Sequence, residues 1–192
     1  MSLKAHMNDF RELCTDLNMV WIHRILVLVI LVCMFSLPVG CEQKKEGAPG
    51  KGYRPVIRSS SQSNDSYSAR HILEESNVVW HSASYPTYPQ WVEFVYKSPV
   101  IIIQLTMLCQ PGGSRRAPLE FYFQGEDTGG QWVNLLAVSN ASFSQGNELK
   151  SWIVENSTAF KRYRIYITKN AGAPDFVTIA KVGFNYGSAP KK

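Results

Sequence analysis

Apolar and polar residues alternate most strictly near the end of the chain. Between Tyr163 and Thr168, tyrosine and isoleucine at the odd positions fall on one side of an extended backbone, and the residues between them fall on the other. A period of two in aromatic and β-branched residues predicts a half-buried β-strand. Turn-forming residues at 169–174 end this strand, and the apolar run at 177–184 predicts another.

Short apolar runs of the same kind recur upstream, separated by turns rich in Gly, Pro and Asn. After an opening segment at 68–73, we predict strands at 78–80, 91–95, 100–108, 119–124, 132–138 and 152–154. The chain has no internal repeat and no convincing amphipathic helix. Many short, regularly spaced strands predict an all-β fold, an antiparallel β-sandwich.

The first 40 residues are interpreted as a targeting leader. An apolar run from Ile25 to about Phe35 directly follows an arginine, and its length suits a signal peptide better than a stable membrane span. A start at Met19 would give a compact leader of ordinary length, and residues 1–18 would then be an over-called N-terminus. The leader predicts that the rest of the chain lies outside the cytosol.

The leader ends in Leu37-Pro38-Val39-Gly40-Cys41, which resembles a bacterial lipoprotein cleavage box, with Pro38 where leucine is usual. The resemblance implies lipidation of Cys41, and several acyl chains on one residue give stable anchoring. Glu42 after the cysteine favours the outer membrane of a bacterial envelope, on either of its faces. Two alternatives are an uncleaved N-terminal membrane helix and a cleaved secretory peptide that leaves Cys41 free.

Composition divides the remainder of the chain into three parts. Residues 42–66 are poor in apolar side chains and predict a flexible tether, residues 67–188 form the domain, and residues 189–192 are a basic tail. The net charge of the chain is +5, but residues 67–188 carry ten Lys or Arg and nine Asp or Glu. A nucleic-acid-binding domain would carry a basic face. The charge therefore argues against nucleic acid and fits a basic tether beside an anionic membrane surface.

The sequence offers little for catalysis. Cys109 is the one cysteine within residues 67–188, and a lone cysteine in a strand-like run predicts a small buried residue. The domain has two histidines and none of the common zinc-binding or nucleophile motifs. We predict a protein that is not an enzyme and that needs no cofactor.

Several short tags carry a family resemblance, and they occur in one order along residues 67–186. They are Trp80-His81-Ser82-Ala83, Pro89-Gln90-Trp91-Val92, Ala117-Pro118-Leu119-Glu120-Phe121, Gln124-Gly125-Glu126-Asp127 before Gln131-Trp132, and the strand–loop–strand segment at 160–184. This ordered set resembles discoidin domains, also called coagulation factor 5/8 type C modules, and most of all their bacterial carbohydrate-binding members. The resemblance implies a galactose-binding-like jelly roll of about eight strands. It also implies core positions for Trp80, Trp91 and Trp132.

In this family, loops at one end of the sandwich form the ligand site. The matching segments are the first loop (84–89), the second loop (110–117) and the third loop (170–176). The candidate ligand-binding residues in them are Tyr85, Tyr88, Arg115, Arg116, Asn170, Asp175 and Phe176. Galactose-binding relatives carry a Pro-Arg pair where this chain has Gln110-Pro111. Ordinary loop packing of the tyrosines, solvated arginines and a turn-forming Asn170 are the alternatives.

Many family members hold a structural calcium ion near the first strands. The matching positions here are Glu74, Glu75 and Lys181. Calcium takes oxygen ligands, and an ammonium group would repel the ion. We therefore expect no metal here, with Lys181 paired to one of the two glutamates instead.

Together these observations predict a non-catalytic, extracytoplasmic, membrane-tethered binding module whose partner is a carbohydrate or a glycosylated surface. The alternative is a structural or assembly lipoprotein of the envelope, whose loops dock on a protein and bind no sugar. The departure at Gln110-Pro111 counts for the alternative.

Overall fold

One long strand organises the β-sheets. The computed structural model describes residues 54–74 and 77–188, in which nine strands follow one another. They are β1 (Val56–Ser59), β2 (Trp80–His81), β3 (Gln90–Leu108), β4 (Pro118–Glu126), β5 (Trp132–Val138), β6 (Leu149–Ile153), β7 (Phe160–Asn170), β8 (Thr178–Ile179) and β9 (Lys181–Gly187). Three short 3₁₀ turns lie at Asp65–Tyr67, Ala69–Leu73 and Ser114–Arg116.

Strand β3 belongs to both sheets of the sandwich. Its first half lies in a five-stranded sheet of order β1-β3-β7-β4-β5, and its second half lies between β6 and β9. Every strand pair is antiparallel. The sequence predicted two strands here, and they are continuous, with a register shift between Val95 and Val100. Pro99 lies at this shift, where its missing N–H costs no ladder bond.

The alternation in β7 was predicted correctly. Tyr163, Ile165 and Ile167 are fully buried between the sheets, where they pack with residues such as Phe94 and Phe123. The core prediction also holds for Trp80, which is completely buried. It is wrong for Trp91 and Trp132, which are only half-buried. Trp91 precedes the inward-facing Val92 and therefore points to the outer face of its sheet.

Regular structure is present before the predicted boundary at residue 67. Strand β1 pairs with β3 from Val56↔Val95 to Ser59↔Val92, so part of the predicted tether is sheet. Residues 48–192 form one compact unit with its own core. We therefore expect this segment to fold by itself. Cys41, the leader and the tail lie outside the described residues. Within 54–74 and 77–188, no helix is long and apolar enough to cross a membrane.

The pairing expected for Lys181 is not formed with Glu74. Arg54 lies 3.1 Å from one Glu74 oxygen, and His71 Nδ1 lies 3.0 Å from the other. Glu74 ends the 3₁₀ turn that contains His71, so the histidine is its local partner. Glu75, the other proposed partner, lies outside the described residues. The absence of calcium stays a prediction.

Candidate functional site

Backbone hydrogen bonds join the three loops at one end of the sandwich. The Tyr85 N–H donates to the Asp175 carbonyl (2.8 Å), which ties the first loop to the third. The Ala173 N–H donates to the Arg115 carbonyl (3.0 Å), which ties the third loop to the second. All seven candidate residues therefore lie on one interlocked group of loops, as the resemblance implied.

Both arginines of the second loop hold the third loop. Arg115 donates from Nη2 to the Gly172 carbonyl (2.8 Å). Arg116 donates from Nε to Asp175 Oδ1 (3.1 Å) and from Nη2 to Oδ2. The hydrogen bonds from Arg116 hold the pKa of the Asp175 carboxyl below its usual range. Arg116 is therefore held by bonds between loops, whereas Arg115 is exposed and donates one such bond.

Asn170 shapes the third loop from inside. Its side chain is buried, donates to the carbonyls of Ala173 (2.7 Å) and Phe176 (2.9 Å), and accepts from the Gly172 N–H (3.0 Å). Gly172 has φ +99°, a conformation that favours glycine. Asn170 thus has the turn-forming role that was one of its two alternatives, and these bonds use both ends of its amide.

The two tyrosines of the first loop differ in their exposure. Tyr85 is 77% exposed and its backbone has φ +52°, which is uncommon for a residue other than glycine. Tyr88 is 40% exposed, and its hydroxyl accepts from the Asn170 N–H (3.1 Å). Burial raises the pKa of the Tyr88 phenol. The Tyr85 ring is therefore open to a ligand, whereas the Tyr88 hydroxyl also holds the end of β7 against the first loop.

A row of planar side chains borders the loops, and sequence reasoning found only part of it. The Phe176 ring lies 5.5 Å from the Arg116 guanidinium and 5.1 Å from the His81 ring. The His81 ring in turn stacks on Tyr67 at 4.2 Å. Phe176 and Arg116 are among the predicted ligand-binding residues, whereas His81 and Tyr67 are not. No sequence signal marks Tyr67, because it lies at the predicted boundary between the tether and the domain.

His81 is the unusual member of this row. It is only 7% exposed, and its Nε2 has no hydrogen-bond partner in the described chain. Burial lowers the pKa of His81, the charge of Arg116 lowers it further, and Asp175 opposes the shift. Thr178, its register partner on β8, also has a buried hydroxyl without a partner. The imidazole is therefore held neutral beside the loops.

We expect this histidine to make the folded chain less stable in mild acid. Unfolded histidine takes up a proton near pH 6.5, whereas folded His81 does so only at lower pH, so the free energy of unfolding falls as the pH drops below about 6.5. His81→Phe keeps a ring between Tyr67 and Phe176 but cannot titrate. Urea unfolding at pH 7, 6 and 5 should show a shallower decline for this variant. Equal declines in the two proteins would exclude His81 as the cause.

No protein-family model and no curated protein matches the chain, but solved structures do. One is a family 32 carbohydrate-binding module of Clostridium perfringens NanJ in complex with galactose, at 13% identity and TM-score 0.56, covering 69% of this chain and 97% of that chain. Another is the Clostridium perfringens module CpGH89CBM32-5 in complex with GalNAc-β-1,3-galactose, at 15% identity and TM-score 0.58, covering 69% of this chain and 98% of that chain. A third is chitosan-binding module 2 of a Paenibacillus sp. IK-5 chitosanase/glucanase in complex with chitotriose. It has 15% identity and a TM-score of 0.57, and the match covers 71% of this chain and 98% of that chain.

These similarities identify the fold. The chain has the discoidin-like, galactose-binding-like β-sandwich of family 32 carbohydrate-binding modules, so the predicted fold is confirmed. The similarity extends over nearly the full length of those modules. The leader and the lipidation of Cys41 lie outside the described residues and stay predictions.

Proposed function

We propose that this chain is a non-catalytic carbohydrate-binding module whose loop end holds the sugar. The observation that carries the proposal is Tyr85, a ring 77% exposed on a loop whose backbone is fixed. An exposed ring normally costs free energy in water and gains it when an apolar surface covers it. The solved modules of the same fold support the proposal, because three of them are complexes with galactose, GalNAc-β-1,3-galactose and chitotriose.

In this proposal the tyrosine rings provide the contact area, and the Arg116–Asp175 ion pair provides directional hydrogen bonds. The faces of Tyr85 and Tyr88 receive the apolar face of a sugar ring. The Arg116–Asp175 pair, whose side chains are 35% and 30% exposed, presents donors and acceptors to sugar hydroxyls at the rim. Because the loops already bond to one another, little order has to be gained on binding.

The same geometry argues for binding rather than hydrolysis. Glycosidases use two carboxyl groups on either side of the bond they cleave. The three loops contain a single carboxylate, Asp175, and Arg116 holds it. We propose binding without chemistry.

For the whole chain we propose a lipid anchor on Cys41 that holds the module at the outer membrane of a bacterial envelope. The leader and its cleavage box support this. Digestion of the membrane fraction and mass spectrometry of the N-terminal peptide would test it. An unmodified Cys41, or a chain that keeps its leader, would contradict it.

Docking on an envelope protein is the second candidate function. It is favoured by the commitment of Arg115 and Arg116 to the third loop, which leaves fewer free donors for sugar hydroxyls. A protein partner could instead cover the exposed Tyr85 ring.

The two candidates make different predictions for Tyr85→Ala in residues 48–192. We expect a glycan array followed by calorimetry to find saturable sugar binding, and the variant to raise Kd by about tenfold through loss of one stacking ring. Leu149→Ala removes a similarly exposed apolar side chain from β6 and should leave Kd unchanged. Unfolding curves of both variants should match the unmodified segment. A well-folded module that binds no glycan would contradict the proposal and favour protein docking.

A further inference from the structure

Aromatic residues cross the outer face of the five-stranded sheet. Trp91 on β3, Tyr166 on β7 and Tyr122 on β4 are register partners, so their side chains stand side by side. All three are half-buried and lie on the side opposite the core. The outer face of a sandwich sheet is ordinarily polar. This row therefore gives the face an apolar band.

Arg164 lies next to this band between two rings. Its guanidinium is 4.1 Å from the centre of the Trp132 ring and 4.5 Å from that of Tyr166. Its Nε donates to Gln124 Oε1 (2.6 Å), and Gln124 Nε2 donates to Asn134 Oδ1 (2.6 Å). Planar rings and planar hydrogen-bonding groups thus alternate across three strands.

A small pocket lies beside Tyr122 of this band. Its volume is about 100 Å³, and its lining includes Glu120, Tyr122, Ser139 and Thr168. Glu120 follows the second loop by three residues, and Thr168 precedes the third loop by two. The pocket therefore lies next to the aromatic band and within a few residues of two of the loops.

We infer that the ligand is an extended oligosaccharide that runs from the loop end across the outer face of this sheet, and not a single terminal sugar. The inference rests on the proposed function for its loop end. A sugar chain has apolar ring faces and hydroxyl edges, which match aromatic rings interleaved with amides, hydroxyls and a guanidinium. From Asn170 to Arg164 the strand extends for about 20 Å, at about 3.4 Å per residue, which is longer than one sugar ring.

The charges of the face favour a sugar chain over nucleic acid. On the same face, Arg162 is bonded to the carboxylates of Glu93 and Glu126, and Arg58 on β1 is the register partner of Glu93. Lys169, near the loop end, is paired with Glu120 (3.2 Å). A nucleic-acid track needs a run of uncompensated basic groups. The face has instead a nearly neutral mixture of rings and polar groups.

Nuclear magnetic resonance on labelled residues 48–192 tests the inference directly. The titrants are galactose, GalNAc-β-1,3-galactose and chitosan oligosaccharides of increasing length from the dimer to the hexamer. The indole N–H signals of Trp91 and Trp132 report on the sheet face, and the backbone N–H signals of Tyr85 and Gly172 report on the loops. We expect loop signals to shift with the shortest ligands and both indole signals to shift as the chain lengthens.

The pattern of shifts distinguishes this inference from the proposed function. Shifts confined to the loops at every length would overturn the inference and leave the loop site standing. Shifts confined to the indoles would support a sheet-face site and overturn the loop site. No shift with any of these sugars would overturn both. Binding of an envelope protein to the indole face, without any sugar response, would replace the glycan by a protein partner.

Two variants give a second measurement. Tyr166→Ala should lower affinity for the longest bound oligosaccharide by about five- to tenfold and leave affinity for the shortest ligand unchanged. Lys161→Ala, on the same strand but outside the band, should change neither. Equal losses at all chain lengths would show that Tyr166 acts on the fold and not on the chain.

Discussion

Replacing Trp80 with alanine is expected to lower the free energy of unfolding by about 3–5 kcal/mol. Trp80 is completely buried, and no side chain of this size can leave the core without a cavity. Its Nε1 also donates to the Ser61 carbonyl (2.9 Å), so the variant leaves that carbonyl without its donor. The short sheet of β2 and β8, in which Trp80 pairs with Ile179, depends on the same ring.

Urea unfolding of residues 48–192 would measure this loss. Trp80→Phe is the matched control, because it keeps an aromatic ring and removes the indole N–H together with part of the volume. It should cost about 1–2 kcal/mol, for a hydrogen bond and a small cavity. A Trp80→Ala protein within 1 kcal/mol of the original would mean that the ring is not part of the core. Because His81 follows Trp80 directly, the alanine variant should also weaken sugar binding at the loops.

The alternation of apolar and polar residues predicted the strands that have one buried face and one exposed face. The alternation through Tyr163, Ile165 and Ile167 gave both the strand and its inward face, because successive side chains of a strand point to opposite sides. Strand β5 was predicted at 132–138, the bounds it has in the structure. Such inferences need only neighbours along the chain.

Features that depend on distant partners were not predictable in this way. Trp132 matches a core position of the family, yet it lies beneath Arg164 on the outer face. Strand β1 has too little apolar character to be recognised, and only its pairing with β3 makes it a strand. No local pattern brings these groups together.

The candidate site shows the same division. Resemblance placed the seven residues on three loops, and the structure brings those loops together. The family resemblance could not assign the roles of these residues, because the bond between Arg116 and Asp175 joins residues 59 positions apart. Consequently Arg115, Arg116 and Asn170 prove to organise the loops, and Tyr85 remains the ring most open to a ligand.

Removing Arg162 is expected to have the second-largest effect on stability. The Glu93 side chain is only 5% exposed, and it lies on the outer sheet face beneath this arginine, which also bonds Glu126. Arg162→Met keeps most of the aliphatic cover and leaves the Glu93 carboxylate without its cation. A buried charge without a partner is strongly destabilising. We expect a loss of about 2–3 kcal/mol, below the range for a fully buried pair because the Arg162 side chain is 37% exposed.

A second substitution separates the lost charge pair from lost packing. Arg162→Met combined with Glu93→Gln removes the stranded charge, so the double variant should recover about half of the loss or more. Lys169→Met is the matched control for an exposed pair, since Lys169 and Glu120 are 60% and 40% exposed; it should cost less than about 1 kcal/mol. Urea unfolding at pH 7 measures all three. The Arg162 guanidinium also lies 5.4 Å from the centre of the Trp132 ring. If the double variant were no more stable than Arg162→Met, the loss would come from packing against this ring and not from the Glu93 carboxylate.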